Sequence, residues 1–175
     1  MSSTPTVPAP GARSGWRWLW LSVAVIVADQ LAKSWMVHHF TPFERVRLLP
    51  VLDVILTYNT GAAFSFLSDA SGWQRWLFVV LAVGISALLI AWLHRLRSDT
   101  QGLLACGLAL IVGGALGNMI DRLLHGRVVD FVLAHWDNHL FPAFNVADSA
   151  ITIGAALVIL DALLESRPRT QAGKG

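Results

Sequence analysis

Residues 76–93 read WLFVVLAVGISALLIAWL, eighteen positions without a charge. A helix at a protein–water boundary needs a polar face, and this stretch has none, so it belongs in lipid. Gln74 to Leu93 frames it, and three more stretches approach the roughly 20 residues that span a hydrocarbon core. They are residues 16–36, 102–123 and 144–164. Composition agrees: the 175 residues are 55% hydrophobic and only 14% charged, with mean hydropathy +0.58. That balance excludes an ordinary water-soluble domain. All eight tryptophans (Trp16, Trp18, Trp20, Trp35, Trp73, Trp76, Trp92 and Trp136) fall near the span ends, where the interface attracts indoles. The expectation is an all-α integral membrane protein with four transmembrane helices. Residues 1–15 form a disordered cytoplasmic tail on this reading, 16–165 one four-helix membrane domain, and 166–175 a second tail.

The polar residues that interrupt these spans are not scattered. Asp29 and Lys33 come late in the first, Asn118, Asp121 and Arg122 end the third, and Asn145 and Asp148 open the fourth. Asn59-Thr60-Gly61 lies just before the second, and Asp130 in the loop between the third and fourth. Threaded through a membrane in turn, all of these meet at one face. Ionisable groups there are costly and are kept where they pair or do chemistry.

The formal charge of +2 and pI near 9.2 raise nucleic-acid binding, but the basic residues form no run or stripe. They follow the loops instead. Arg13 and Arg17 precede the first span, Arg95 and Arg97 join the second and third, and Arg167, Arg169 and Lys174 follow the fourth. The opposite loops hold Arg45, Arg47 and Arg127. The positive-inside rule then sets both termini in the cytoplasm and the polar cluster outward. The first span continues through Asp29 and Lys33 with no small-residue cleavage pattern, so it reads as retained. Cys106 reads as a small apolar filler inside the third span.

Between the first two spans, residues 47–58 are β-branched and partly alternating, and Asn59 to Gly61 is a turn signal. A small extracytoplasmic β-sheet is predicted there. The other outer segment, 124–142, mixes valines, aromatics and histidines and is predicted as a loop over the active site.

Asp130 and Asp148 are the candidate catalytic residues. Two carboxylates brought close cannot both ionise readily, so one keeps a proton while the other acts as a base. Asp148 falls about one turn into the fourth span, where a helix N-terminus favours the anion. Asp130 lies between valines and a phenylalanine, which raises a carboxylate pKa. The alternative is that Asp148 only caps its helix and Asp130 is a solvated loop acid. Asn118 and Asp121 share a helix face with Gly114, and Asn145 repeats that spacing with Asp148; such amides orient a carboxylate, bind a substrate carbonyl, or simply bond between helices. Asp29 and Lys33 form an i,i+4 pair read as structural, with Arg122 equally able to neutralise Asp121 or Asp29. Gly113, Gly114 and Gly117 give either a close helix contact or a groove for a substrate helix. His135 and His139, with His125 nearby, have loose metal-like spacing but no zincin glutamate, so no metal or other cofactor is expected. Ser65, Ser68 and Ser149 lack a nucleophile-elbow context.

Five ordered blocks carry a resemblance: 29–33 (DQLAK), 59–65 (NTGAAFS), 114–122 (GALGNMIDR), 128–131 (VVDF) and 144–149 (FNVADS). Together they resemble the bacterial lipoprotein signal peptidases, the aspartic signal peptidase II family. The resemblance implies a monomeric enzyme of the inner membrane whose catalytic Asp130 and Asp148 sit near the periplasmic face. It implies a diacylglyceryl-modified prolipoprotein as substrate, membrane lipid around it, and inhibition by the cyclic peptide globomycin. It also implies substrate-binding or supporting roles for Asn59, Gly61, Gly114, Asn118, Asp121, Arg122, Asn145 and Ala147. Two other classes compete on the residues alone: a proton-coupled transporter and a non-catalytic scaffold. Transport sites usually lie near the bilayer midplane, and these acids gather at one face.

Overall fold

The computed structural model describes residues 14–61, 72–96, 101–137 and 139–166. The predicted tails lie outside these except for Ser14, Gly15 and Ser166, as do Ala62, Ala63, Phe64, Ser65 and Ser68. A 3-10 turn (Gly15–Trp18) leads into α1 (Leu19–His39). Then follow β1 (Arg45–Leu49), β2 (Leu52–Asn59), α2 (Trp73–Arg95), α3 (Gly102–His125), β3 (Val128–Trp136), β4 (His139–Leu140) and α4 (Val146–Glu165). All four α-helices are long and apolar enough to cross a membrane, as the hydropathy predicts.

The third helix is the centre of the bundle. Its apolar window is 56% buried, against 28%, 17% and 17% in the others, and α1, α2 and α4 all pack on it. Those three leave large hydrophobics such as Val27, Val80, Leu88 and Ile159 exposed, a face suited to lipid rather than water. Small residues allow the close contact with α3. A Cβ on Gly154 would lie 2.6 Å from the Gly107 carbonyl, one on Gly113 would lie 2.8 Å from Val25, and one on Gly114 would collide with the carbonyl of Ala147. The glycine surface is thus filled by α1 and α4, which favours packing over a substrate groove. Ser22 adds an interhelical bond, its Oγ donating to the Ala109 carbonyl at 2.7 Å.

At one end of the bundle the four strands form an antiparallel sheet in the order β1-β2-β3-β4. The strands predicted within 47–58 are β1 and β2, and the turn after them is real: Asn59 Oδ1 accepts from the Gly61 N–H at 2.9 Å. Segment 124–142 departs from its prediction as a loop. Val128, Val129, Phe131 and Val132 form a strand paired with β2, with Asp130 opposite Thr57. A β-branched run beside a waiting strand edge gains both a ladder and a buried face. Only residues 141–145 remain as a connecting loop before α4.

Because Ala147 blocks the space beside Gly114, we predict that Gly114→Val destabilises the fold by about 1–3 kcal/mol through overpacking. Thermal unfolding in detergent micelles measures it, and an unchanged Tm contradicts the packing described.

Candidate active site

Three elements converge where the sheet meets the bundle. The end of α3 carries Asn118, Asp121 and Arg122, β3 carries Asp130, and the first turn of α4 carries Asp148. The α4 start is a capping box. Asn145 Oδ1 accepts from the Asp148 N–H at 2.9 Å, and Asp148 Oδ2 accepts from the Asn145 N–H at 3.3 Å. Asp148 therefore does cap its helix, but it also faces a cavity of about 600 Å³ that Asp130 shares.

Asn145 is completely buried and links the two acids. While its carbonyl oxygen is held by Asp148, its Nδ2 donates to Asp130 Oδ1 at 2.7 Å. Asn118 serves the other acid, its Nδ2 donating to Asp148 Oδ1 at 2.7 Å. Both amides orient carboxylates, one of the roles left open by their spacing. Burial of Asp130, followed by the nearby charge of Asp148, pushes its carboxyl up to about 7 despite hydrogen bonds from Asn59 and Asn145 and the charge of Lys33. It titrates near neutrality, where general acid–base chemistry operates.

Behind this pair lies a buried ionic cluster. Lys33 Nζ meets Asp29 Oδ2 at 2.7 Å and Asp121 Oδ2 at 3.0 Å. Both carboxylates also grip backbone. Asp29 Oδ1 accepts from the Ala147 N–H at 2.9 Å, and Asp121 Oδ2 accepts from the Val129 N–H at 3.1 Å. The gripped residues are those immediately before Asp148 and Asp130. Gln30, which enters the sequence reading only as part of the 29–33 block, completes the cluster by donating to Asp121 Oδ1 at 2.9 Å and to the Gly117 carbonyl at 3.2 Å.

Arg122 departs from expectation. It pairs with neither Asp121 nor Asp29, because Lys33 already bridges both. Its guanidinium donates instead to the Gly61 carbonyl at 3.0 Å and the Asn118 carbonyl at 3.3 Å, and stacks over Phe78. With Asn59, Gly61 and Asn118 it lines the cavity, whereas Gly114, Asp121, Asn145 and Ala147 lie behind the lining. The hydrophobic walls, from Phe141, Phe144, Ile151 and Ile153, were not among the predicted site residues, since apolar residues in an apolar chain give no signal. His135 is buried and bonds through Nε2 to Asp53 Oδ1 at 3.2 Å. Asp53 also pairs with Arg45, so His135 serves the sheet.

Four bilayer-length helices with an acid-lined cavity at one end define a multi-pass membrane protein built around a polar site. The family model described as signal peptidase (SPase) II matches residues 21–164. The chain therefore belongs to the signal peptidase II family and is a peptidase. It is 49% identical over 166 residues to the lipoprotein signal peptidase of Yersinia enterocolitica serotype O:8 / biotype 1B, covering 95% of this chain and 98% of that one. It is 50% identical over 171 residues to that of Shewanella baltica strain OS155, covering 97% and 98%. A solved bacterial membrane enzyme structure, obtained by the in meso method at 2.3 Å resolution, superposes with a TM-score of 0.77 at 29% identity, covering 91% of this chain and 94% of that one.

The raised Asp130 value has a stability consequence of definite sign. Relative to an ordinary 3.8, a folded value of about 7 means the folded state binds more protons between those limits, so stability falls as pH rises from about 4 to 7. Asp130→Asn removes this penalty. We predict that the variant exceeds wild type at pH 8 by as much as about 4 kcal/mol, the gap closing toward pH 4. Unfolding followed at both pH values checks it, and equal stability at pH 8 contradicts the assignment.

Proposed function

We propose that this peptidase removes the signal peptide from diacylglyceryl-modified prolipoproteins, cutting immediately before the lipidated cysteine, with Asp130 and Asp148 as its catalytic pair. The observation that carries the reading is Asn145, which hydrogen-bonds both acids at the wall of one cavity. Relatives named lipoprotein signal peptidase, about 50% identical over nearly the whole chain, support the substrate class.

In this scheme Asp148, held at a helix N-terminus by two N–H donors, is the carboxylate, and Asp130 carries the proton. Asp148 takes a proton from water as its oxygen attacks the scissile carbonyl, and Asp130 gives its own proton to the carbonyl oxygen. A gem-diol forms. It collapses when Asp148 passes its proton to the departing amide nitrogen and Asp130 recovers one from a hydroxyl, so the pair returns to its starting state. The step requires no metal or cofactor. Arg122, Asn59 and Gly61, which line the cavity, meet substrate backbone in this scheme.

The enzyme acts, on this proposal, as a monomer in the bacterial inner membrane, with both termini cytoplasmic and the cavity near the periplasmic face. Arg17 and Arg95, at the end of the bundle opposite the site, support that orientation. Globomycin would occupy the same cavity. Against a transport reading, among the described residues the other half of α3 buries only apolar Leu104, Ala105, Leu108 and Ala109 beside its glycines.

We predict that Asp130→Asn and Asp148→Asn each lower cleavage at least about 100-fold with the fold intact, as loss of a general acid or base does. Wild-type turnover should follow a bell-shaped pH profile. A gel-shift assay on lipidated precursor tests both, and normal cleavage by either variant ends the proposal.

A further inference from the structure

Lys33 is 3% exposed, and an ammonium has three N–H donors and no acceptor. All three have partners: Asp29 Oδ2 at 2.7 Å, Asp121 Oδ2 at 3.0 Å and Asn118 Oδ1 at 2.9 Å. The third contact has a directional consequence. A side-chain amide has two unlike ends, and the end facing a donor-only group must be its oxygen. Asn145 Nδ2 points at the same oxygen from 3.2 Å. Turned over, Asn118 would set its NH2 group against these donors in a buried site, and its carbonyl dipole against the Asp148 carboxylate.

We propose that Lys33 is a positioning residue for peptide cleavage: its ammonium fixes the Asn118 amide so that the N–H, not the carbonyl, faces Asp148. The inference rests on the catalytic-pair reading and deepens it. Lys33 never reaches the cavity; it acts through Asn118 to keep Asp148 an acceptor, ready to take the proton of water. The charged groups around Asp148 are Asp29 and Lys33 from α1, Asp121 and Arg122 from α3, and Asp130 from β3. Among them only Lys33 bonds to the Asn118 side chain.

Removing the ammonium alone would also unbalance Asp29 and Asp121, so the informative variant is Lys33→Met combined with Asp121→Asn. It keeps the wild-type cluster charge of −1 and an acceptor for the Val129 N–H, and it deletes the ammonium donor on Asn118, leaving that oxygen only the longer contact from Asn145 Nδ2. If Lys33 orients Asn118, Tm stays near wild type while kcat falls about 10- to 100-fold with KM little changed, the value of a hydrogen bond to a charged group. The acid limb of the kcat profile should also move to higher pH by about one unit. Wild-type kcat and an unmoved limb overturn the proposal. Should the double variant not fold, Lys33→Arg and Lys33→Gln decide. Arginine is donor-only and keeps the limb in place, glutamine can present either end and moves it, and coincident limbs overturn the inference. Failure of the catalytic pair is a separate result, cleavage by Asp130→Asn or Asp148→Asn protein.

Discussion

One ammonium between two buried carboxylates holds this end of the molecule together. Lys33, Asp29 and Asp121 are almost fully excluded from solvent, and two negative charges against one positive leave an excess that such a place tolerates poorly. The excess is met by backbone N–H groups. Asp29 takes the N–H of Ala147 and Asp121 that of Val129, so electrostatic need draws the start of α4 and the start of β3 onto α1 and α3. Asp148 and Asp130 each come one residue later. Gly117 leaves the room for this approach, since a Cβ there would lie 3.0 Å from Asp29 Oδ2.

The same low-polarity setting that suits Asp130 to the proposed chemistry weakens the fold. An aspartate in water titrates far too low to hold a proton at neutral pH, and Asp130 is lifted into range only because burial and the charge of Asp148 oppose its ionisation. Every neutral-pH molecule therefore bears a stability penalty that an asparagine would avoid. Such a residue is tolerable because the ionic cluster, the capping box and the α3 packing supply stability elsewhere.

Much of this was legible in the sequence, for identifiable reasons. Backbone groups in lipid must be bonded internally, and an apolar run of about 20 residues meets that demand as a helix, so hydropathy alone places four spans within a few residues. The convergence of Asp29, Asn118, Asp121, Asn145 and Asp148 followed from counting span ends. Pairing preferences did not: spacing alone left Arg122 equally suited to Asp29 or Asp121, and the choice of Lys33 depends on a three-dimensional approach of α1 to α3. The sequence alone puts Asp130 on a loop, because a nine-residue strand that completes another strand's edge has no periodicity of its own to announce it. The aromatic cavity wall was hidden by composition, one Phe among many apolar neighbours.

The location of the cavity suits a reaction whose substrate is itself divided between phases. Hydrolysis needs water, whereas the signal helix and acyl chains of the proposed substrate need lipid, so neither the bilayer midplane nor a wholly aqueous cleft would host both. The cavity has walls of both characters. Asn59, Asn118, Arg122, Asp130 and Asp148 form a polar side, while Phe141, Phe144, Ile151 and Ile153 form an apolar one, and Ile153 is half exposed on the flank of α4 that would meet lipid. On the proposed function, an amphiphile entering from the bilayer along α4 would keep its chains against the apolar wall until its peptide bond reached the acids. Binding energy from those remote chains would then orient the reacting carbonyl.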